Sequence, residues 1–227
     1  MNKTQIKTTM NELRNSLDGY RDSADKSVPW REKRSEETRR ILMEQTVTCI
    51  VERGYSNTKI QSLCEMTGLS RSAILYHYSS RIDLVSAAID YIFVRMMEMV
   101  YEGVDDIAAT GGIDEQSAND LHWNVVSSDI YTAYIELNIA SRTDAALKEQ
   151  FDPKAMAFDM LWQEKMEEIL PELTDQKKDA VLAWDFARCV LESLRINDRI
   201  LSNPKRKKAV RDLVVRIMQA MNNHELS

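Results

Sequence analysis

From about Ser35 apolar positions recur at helical spacing, with Leu42, Met43, Thr46, Cys49 and Ile50 on one face until Arg53 and Gly54 end the run. Asn57-Thr58-Lys59-Ile60-Gln61 has the makings of a capping box, in which Thr58 accepts from the Gln61 amide and the Gln61 side chain reaches back; it predicts a short second helix over 59–66. Thr67-Gly68-Leu69-Ser70 predicts a tight corner: Gly68 supplies a left-handed stop, Leu69 plugs the turn and Ser70 caps a third helix over 71–77. Ser79-Ser80-Arg81-Ile82-Asp83 restarts a longer fourth helix, in which Leu84, Ala88, Ile92, Met96 and Met99 keep the spacing. Gly111-Gly112 is the clearest break. Beyond it the pattern predicts helices near 114–127, 129–141, 153–170, 175–201 and 205–222. Two of these open with a capping side chain before a proline, Asp152-Pro153 and Asn203-Pro204. No strand signal or internal repeat competes, so the expected class is all-α.

The expected organisation is a polar N-terminal arm over 1–34, a three-helix module over 35–80 and a larger helical domain over 81–227. A length of 227 residues suits a small module fused to a larger one, and six Gly and four Pro leave few breakers for a turn-rich β architecture. The start is polar and no apolar run reaches the roughly 18 residues that span a bilayer, so the expected location is cytoplasmic, with no membrane partner. Cys49, Cys64 and Cys189 are too widely spaced for a paired zinc motif and read as reduced core residues.

The net charge of −6 at first argues against a polyanionic partner, but it is unevenly distributed: residues 1–95 sum to +3 and residues 96–227 to −9. Such a molecule would approach a polyanion with its N-terminal part first.

Two short helices joined by a Gly-containing corner, crossed by an earlier helix, make a helix-turn-helix, whose third helix would enter a major groove of double-stranded DNA. Its first turn carries Arg71, Ser72 and Ala73 after Ser70, slim or donor-bearing groups instead of large apolar ones. Arg71 can reach a guanine edge or a phosphate, and Ala73 suits a thymine methyl.

Over about fifty residues the chain resembles the tetracycline-repressor-like (TetR) family of bacterial transcription regulators. The resemblance rests on Glu52-Arg53-Gly54-Tyr55, Thr58, Gly68-Leu69-Ser70-Arg71 and the gap-free run Ile74-Leu75-Tyr76-His77-Tyr78-Ser79-Ser80-Arg81-Ile82-Asp83-Leu84. It implies phosphate contacts for Thr58, with Lys59 beside it at the start of helix two, and for Tyr76 and His77 at the end of the recognition helix. Arg81 stands where the family usually has Lys, at a helix start that can face the DNA backbone. Leu75 stands where the family commonly has Tyr. For Tyr78 plain packing between helices three and four is the preferred reading.

The rest of the chain carries many large side chains. Trp123, Tyr131, Tyr134, Phe158, Trp162, Met166 and Trp184 could line an apolar ligand cavity, with Asn138, His122 or Arg142 as polar fixtures, or could equally fill a core. The last two predicted helices are amphipathic, and the resemblance implies that two from each subunit form a four-helix homodimer interface. No nucleophile-plus-base pair, metal-ligand cluster or phosphate-cradling glycine loop points to an enzyme, a cofactor or a metal. The expected function is therefore a homodimeric repressor of a palindromic operator, released by a small, largely apolar or aromatic effector. The alternative is a DNA-bound adaptor that recruits a protein partner without an effector; thermal-shift screening separates the two, because a sensor is stabilised by its ligand.

Overall fold

The computed structural model describes residues 8, 9, 11–13, 15, 30–110, 114–169 and 177–222. They form α1 (Trp30–Arg53), a single 3-10 turn (Tyr55–Asn57), α2 (Ile60–Thr67), α3 (Arg71–His77), α4 (Arg81–Thr110), α5 (Glu115–Val126), α6 (Asp129–Ser141), α7 (Ala145–Ile169), α8 (Lys177–Ile196) and α9 (Pro204–Asn222). The expected all-α class holds. Most of the expected N-terminal arm lies outside the described residues, as does the Gly111-Gly112 break; α1 begins at Trp30, inside the span read as arm.

The chain divides into two compact units. One takes residues 1–98 and 129–161, so that α6 and most of α7 belong with the helix-turn-helix; the other takes residues 99–128 and 162–227. The core of the first is Leu42, Met43 and Cys49 of α1, Ile60 and Leu63 of α2, Ile74 of α3, and Leu84 and Ala88 of α4. The α1 and α4 members are the apolar stripes the periodicity marks, and they meet where the two short helices α2 and α3 pack between them. In the second unit Ala183 and Ala187 of α8 meet Val214 and Met218 of α9, with Phe186, Val190 and Met221 around them.

Helix boundaries follow from caps. Gly68 ends α2 in the left-handed conformation (φ 71°), and the Ser70 side chain accepts from the Ala73 amide to open α3. Ser80 Oγ accepts from the Asp83 amide at the start of α4 (3.1 Å). Asp114 and Ser117 form a reciprocal capping box on α5, and Asn203 Oδ1 accepts from the Lys205 amide at 3.0 Å to open α9.

Two expected caps are corrected. At Thr58 the hydroxyl is buried and donates to the Gly54 carbonyl (3.0 Å), Lys59 is the N-cap without a side-chain bond, and Gln61 donates to Glu65 (3.2 Å). At Pro153 the helix does not begin: α7 starts earlier, where Asp144 Oδ1 accepts from the Leu147 amide at 2.9 Å, and Pro153 lies inside it. Asp152 is engaged by Lys148 Nζ (2.6 Å) one turn earlier on the same helix. Cys49 is buried as expected, but Cys189 is exposed on α8.

Candidate DNA-binding face

The core cluster fixes the facing of α3. Ile74 is fully buried, and Leu75 and Tyr78 pack partly buried against the same apolar cluster. A helix anchored on that side presents the remaining positions outward: Arg71, Ser72 and Tyr76 are exposed, and Ala73 and His77 are half-buried. Tyr76 is 84% exposed, an extreme value for an aromatic side chain, and its ring meets His77 edge-on with centroids 5.2 Å apart. Lys59 and Ser70 are exposed alongside. The Ser70 hydroxyl is already engaged, accepting from the Ala73 amide (3.2 Å) and pairing with Ser72 Oγ (3.0 Å). Burial, with the nearby Arg39 guanidinium acting in the same direction, holds the His77 imidazole below its ordinary pKa and therefore largely neutral. Arg39, a cation near His77, is a neighbour the sequence reading missed, because the first half of α1 and the end of α3 are far apart in the chain.

Thr58 and Arg81 do not join this row. Thr58 is 1% exposed, with its hydroxyl turned to Gly54. Arg81 folds inward: Nε donates to the Thr58 carbonyl (2.6 Å), Nη2 to the Tyr55 carbonyl (2.7 Å) and Nη1 to the Tyr55 hydroxyl (3.2 Å). Its guanidinium also lies 4.2 Å from the Tyr55 ring centroid. The Tyr55 carbonyl also accepts from the Thr58 amide (3.1 Å), and the planar guanidinium bonds it and the Thr58 carbonyl together with a fork that a lysine ammonium lacks. At these two positions, expected as phosphate contacts, the side chains are engaged within the protein.

The 3-10 turn is anchored from its other side. Glu136 Oε1 of α6 accepts from the Tyr55 amide (3.0 Å), and Asp144 Oδ2 accepts from the Tyr55 hydroxyl (3.0 Å). Hydrogen bonds from the Leu147 amide and from Tyr55 hold the Asp144 carboxyl below its ordinary pKa. An open cleft of about 560 Å³ beside this anchor is lined by Tyr55, Ser56, Glu136, Ile139, Ala140, Arg142, Thr143 and Asp144.

Residues 42–88 match the family model of bacterial regulatory proteins, tetR family. Over this segment the chain is similar to the TetR family. An uncharacterized HTH-type transcriptional regulator of Mycobacterium tuberculosis is 25% identical over 118 residues, covering 52% of this chain and 60% of that protein; the chain thus spans less than two thirds of the relatives it matches. Among solved structures, a TetR transcription regulator from Haloarcula marismortui shares the fold with a TM-score of 0.61 at 17% identity, covering 82% of this chain and 98% of that one. A regulator from Saccharomonospora viridis, solved in complex with choline, shares it with a TM-score of 0.61 at 16% identity, covering 81% and 96%. The match spans the second half of α1, α2, α3 and the start of α4, and so includes the exposed row on α3.

The clustered aromatic residues fall into two groups, one in each unit. In the first, Tyr131, Tyr134 and Phe158 pack with Phe93 and Phe151; Phe93 and Phe158 are stacked at 4.6 Å, and Tyr131 and Tyr134 are 5.2 Å apart. Asn138, expected as a polar fixture, is exposed on α6. In the second unit Trp162 and Trp184 flank the buried His122, and Trp123 lies under the Arg211 guanidinium at 4.9 Å. The Met166 side chain lies outside the described residues. Sequence reasoning missed Phe93 and Phe151 as cluster members, and Asn119, which lies one turn from His122. Among the described residues no group of three or more His, Cys, Asp or Glu could hold a metal, and no helix is long and apolar enough to cross a membrane.

Proposed function

We propose that the chain is a one-component transcription regulator that binds double-stranded operator DNA through α3 as a homodimer and is released by a small, largely apolar or aromatic effector. The observation that carries this reading is the exposed row on a core-anchored α3, with Arg71, Ser72 and the 84% exposed Tyr76 facing outward. Arg71, Ser72 and Ala73 read base edges; Lys59, Ser70, Tyr76 and His77 hold the phosphates. Thr58 and Arg81 serve the face through the backbone they brace. Functionally, 35–80 is the reading head and 81–227 the sensing and pairing domain, with α4 the connecting element.

Pairing is assigned to α8 and α9. Leu182, Cys189, Ile196 and Ile200 of the α8 region are exposed at helical spacing, Ile200 at 80%, and Leu213 of α9 is 45% exposed. Apolar groups left in water along two long helices suit a second copy of the same surface. A twofold dimer then presents two recognition helices to successive major grooves of a palindromic site. An effector that binds better to a conformer with wrongly spaced reading heads removes the protein from DNA by linkage.

Selection of genomic fragments by the purified protein, followed by footprinting, tests this. The expected product is a palindrome with half-sites about one helical turn apart. A protein that is monomeric at micromolar concentration and selects no common sequence contradicts the reading.

A further inference from the structure

Asn119 and His122 lie one turn apart on α5 and so share a helix face. They are 2% and 6% exposed. Both polar atoms of the Asn119 amide and both ring nitrogens of His122 are buried without a hydrogen-bond partner. Each such atom costs about 1 to 3 kcal/mol when left unsatisfied, so folded proteins rarely keep four together unless something else completes them. The indole of Trp162 stands perpendicular to the imidazole at 6.3 Å, and that of Trp184 lies tilted at 6.1 Å. Polar atoms with flat apolar walls are the makings of a small-molecule site.

We propose that Asn119 and His122 are the polar floor of an effector site for an uncharged ligand, with a flat apolar body and an adjacent donor and acceptor of the amide or phenol type. This deepens the proposed function and rests on it. The asparagine amide offers donors and an acceptor, and a neutral imidazole one of each, so together they match a ligand edge that both gives and takes hydrogen bonds. Burial, aided by Arg188, depresses the His122 pKa to about 4, so the ring meets the ligand neutral at pH 7. A cationic ligand would lose its hydration for neutral partners only, and Arg211, which lies over the neighbouring Trp123 ring, is itself paired with Asp120. A carboxylate would lose its hydration for neutral partners only, since Arg188 is paired with Asp185 at 3.2 Å.

The test uses the full chain labelled with ¹⁵N-histidine, which gives three imidazole pairs to assign. Benzamide and phenol are titrated against benzoate and benzyltrimethylammonium, and a labelled operator fragment reports DNA binding in parallel. Benzamide or phenol is expected to move the His122 nitrogens saturably, the charged compounds are not, and Asn119→Leu is expected to weaken the response about tenfold. Should that variant unfold, Asn119→Ser, which keeps one hydroxyl partner, is expected to give a smaller loss. The proposal is overturned if neither uncharged probe moves His122, as it would be for a site filled by water alone, if the charged probes are preferred, or if the Asn119 variants bind as wild type. A probe that moves His122 without weakening DNA binding supports the site and removes the release mechanism. A compound that releases DNA without moving His122 removes the site and leaves the regulator reading intact.

Discussion

The Tyr55 hydroxyl donates to Asp144 at 3.0 Å across 89 residues of chain. Within one compact unit this ties the turn that precedes the reading helices to the start of α7. The same hydroxyl accepts from Arg81 (3.2 Å), so one oxygen serves both partners. Tyr55→Phe keeps the buried ring and the Arg81 stacking but deletes both bonds, and is expected to destabilise the protein by about 1 to 2 kcal/mol. Urea unfolding of wild type and variant measures it; an unchanged midpoint would show that the bond contributes nothing net.

Arg71 is exposed, whereas Arg81, near the same proposed DNA face, is turned inward onto the Tyr55 and Thr58 carbonyls. Arg81→Lys loses the planar fork that satisfies the Tyr55 and Thr58 carbonyls and is expected to cost about 1 to 3 kcal/mol of stability. The salt dependence of DNA binding should stay the same. A reduced salt slope with unaltered stability would return Arg81 to the phosphate backbone.

Gly68 turns the corner at φ 71°, with no atom within 4 Å of the position a Cβ would take. Gly68→Ala therefore tests backbone strain without a clash, and is expected to cost about 1 to 2 kcal/mol, with Gly68→Asn costing less. Thermal melting of the two variants at equal concentration ranks them; alanine at or above asparagine would mean that the corner relaxes.

The helix-turn-helix was legible in the sequence because its signals are local. Gly68 and Ser70 stand where a left-handed stop and a cap are needed, and the apolar spacing of Leu42, Met43 and Cys49, then of Leu84 and Ala88, marks the core faces that Leu63 and Ile74 complete. What was not legible depends on long-range partners. Arg81 looks like a free cation until the fold brings the Tyr55 and Thr58 carbonyls beneath it. The Asp152-Pro153 pair imitates a helix start, yet Asp144 had already opened α7, and Lys148 takes the Asp152 carboxylate. The aromatic residues expected to line one pocket carry no sequence mark that assigns them to two different units.

His122 sets an acid limit. Its folded pKa of about 4 lies below the ordinary histidine value of 6.5, so between these values the unfolded chain binds the extra proton. Stability is full above pH 6.5 and falls as pH drops toward 4, by on the order of 3 kcal/mol from this group. His122→Phe is expected to flatten that portion of the curve in chemical denaturation at pH 7, 6 and 5. A slope as steep in the variant as in wild type would assign the acid sensitivity to other groups.

DNA reading by the proposed element α3 is tested most directly by fluorescence anisotropy with a selected genomic fragment and a scrambled duplex, from about 50 to 200 mM salt, where binding through phosphates falls steeply. Binding should weaken steeply with salt, and Arg71→Ala should lower the preference for the selected fragment by about 1 to 3 kcal/mol while leaving the fold intact. Equal affinity of wild type for the two duplexes, or a preference unchanged by Arg71→Ala, would contradict it.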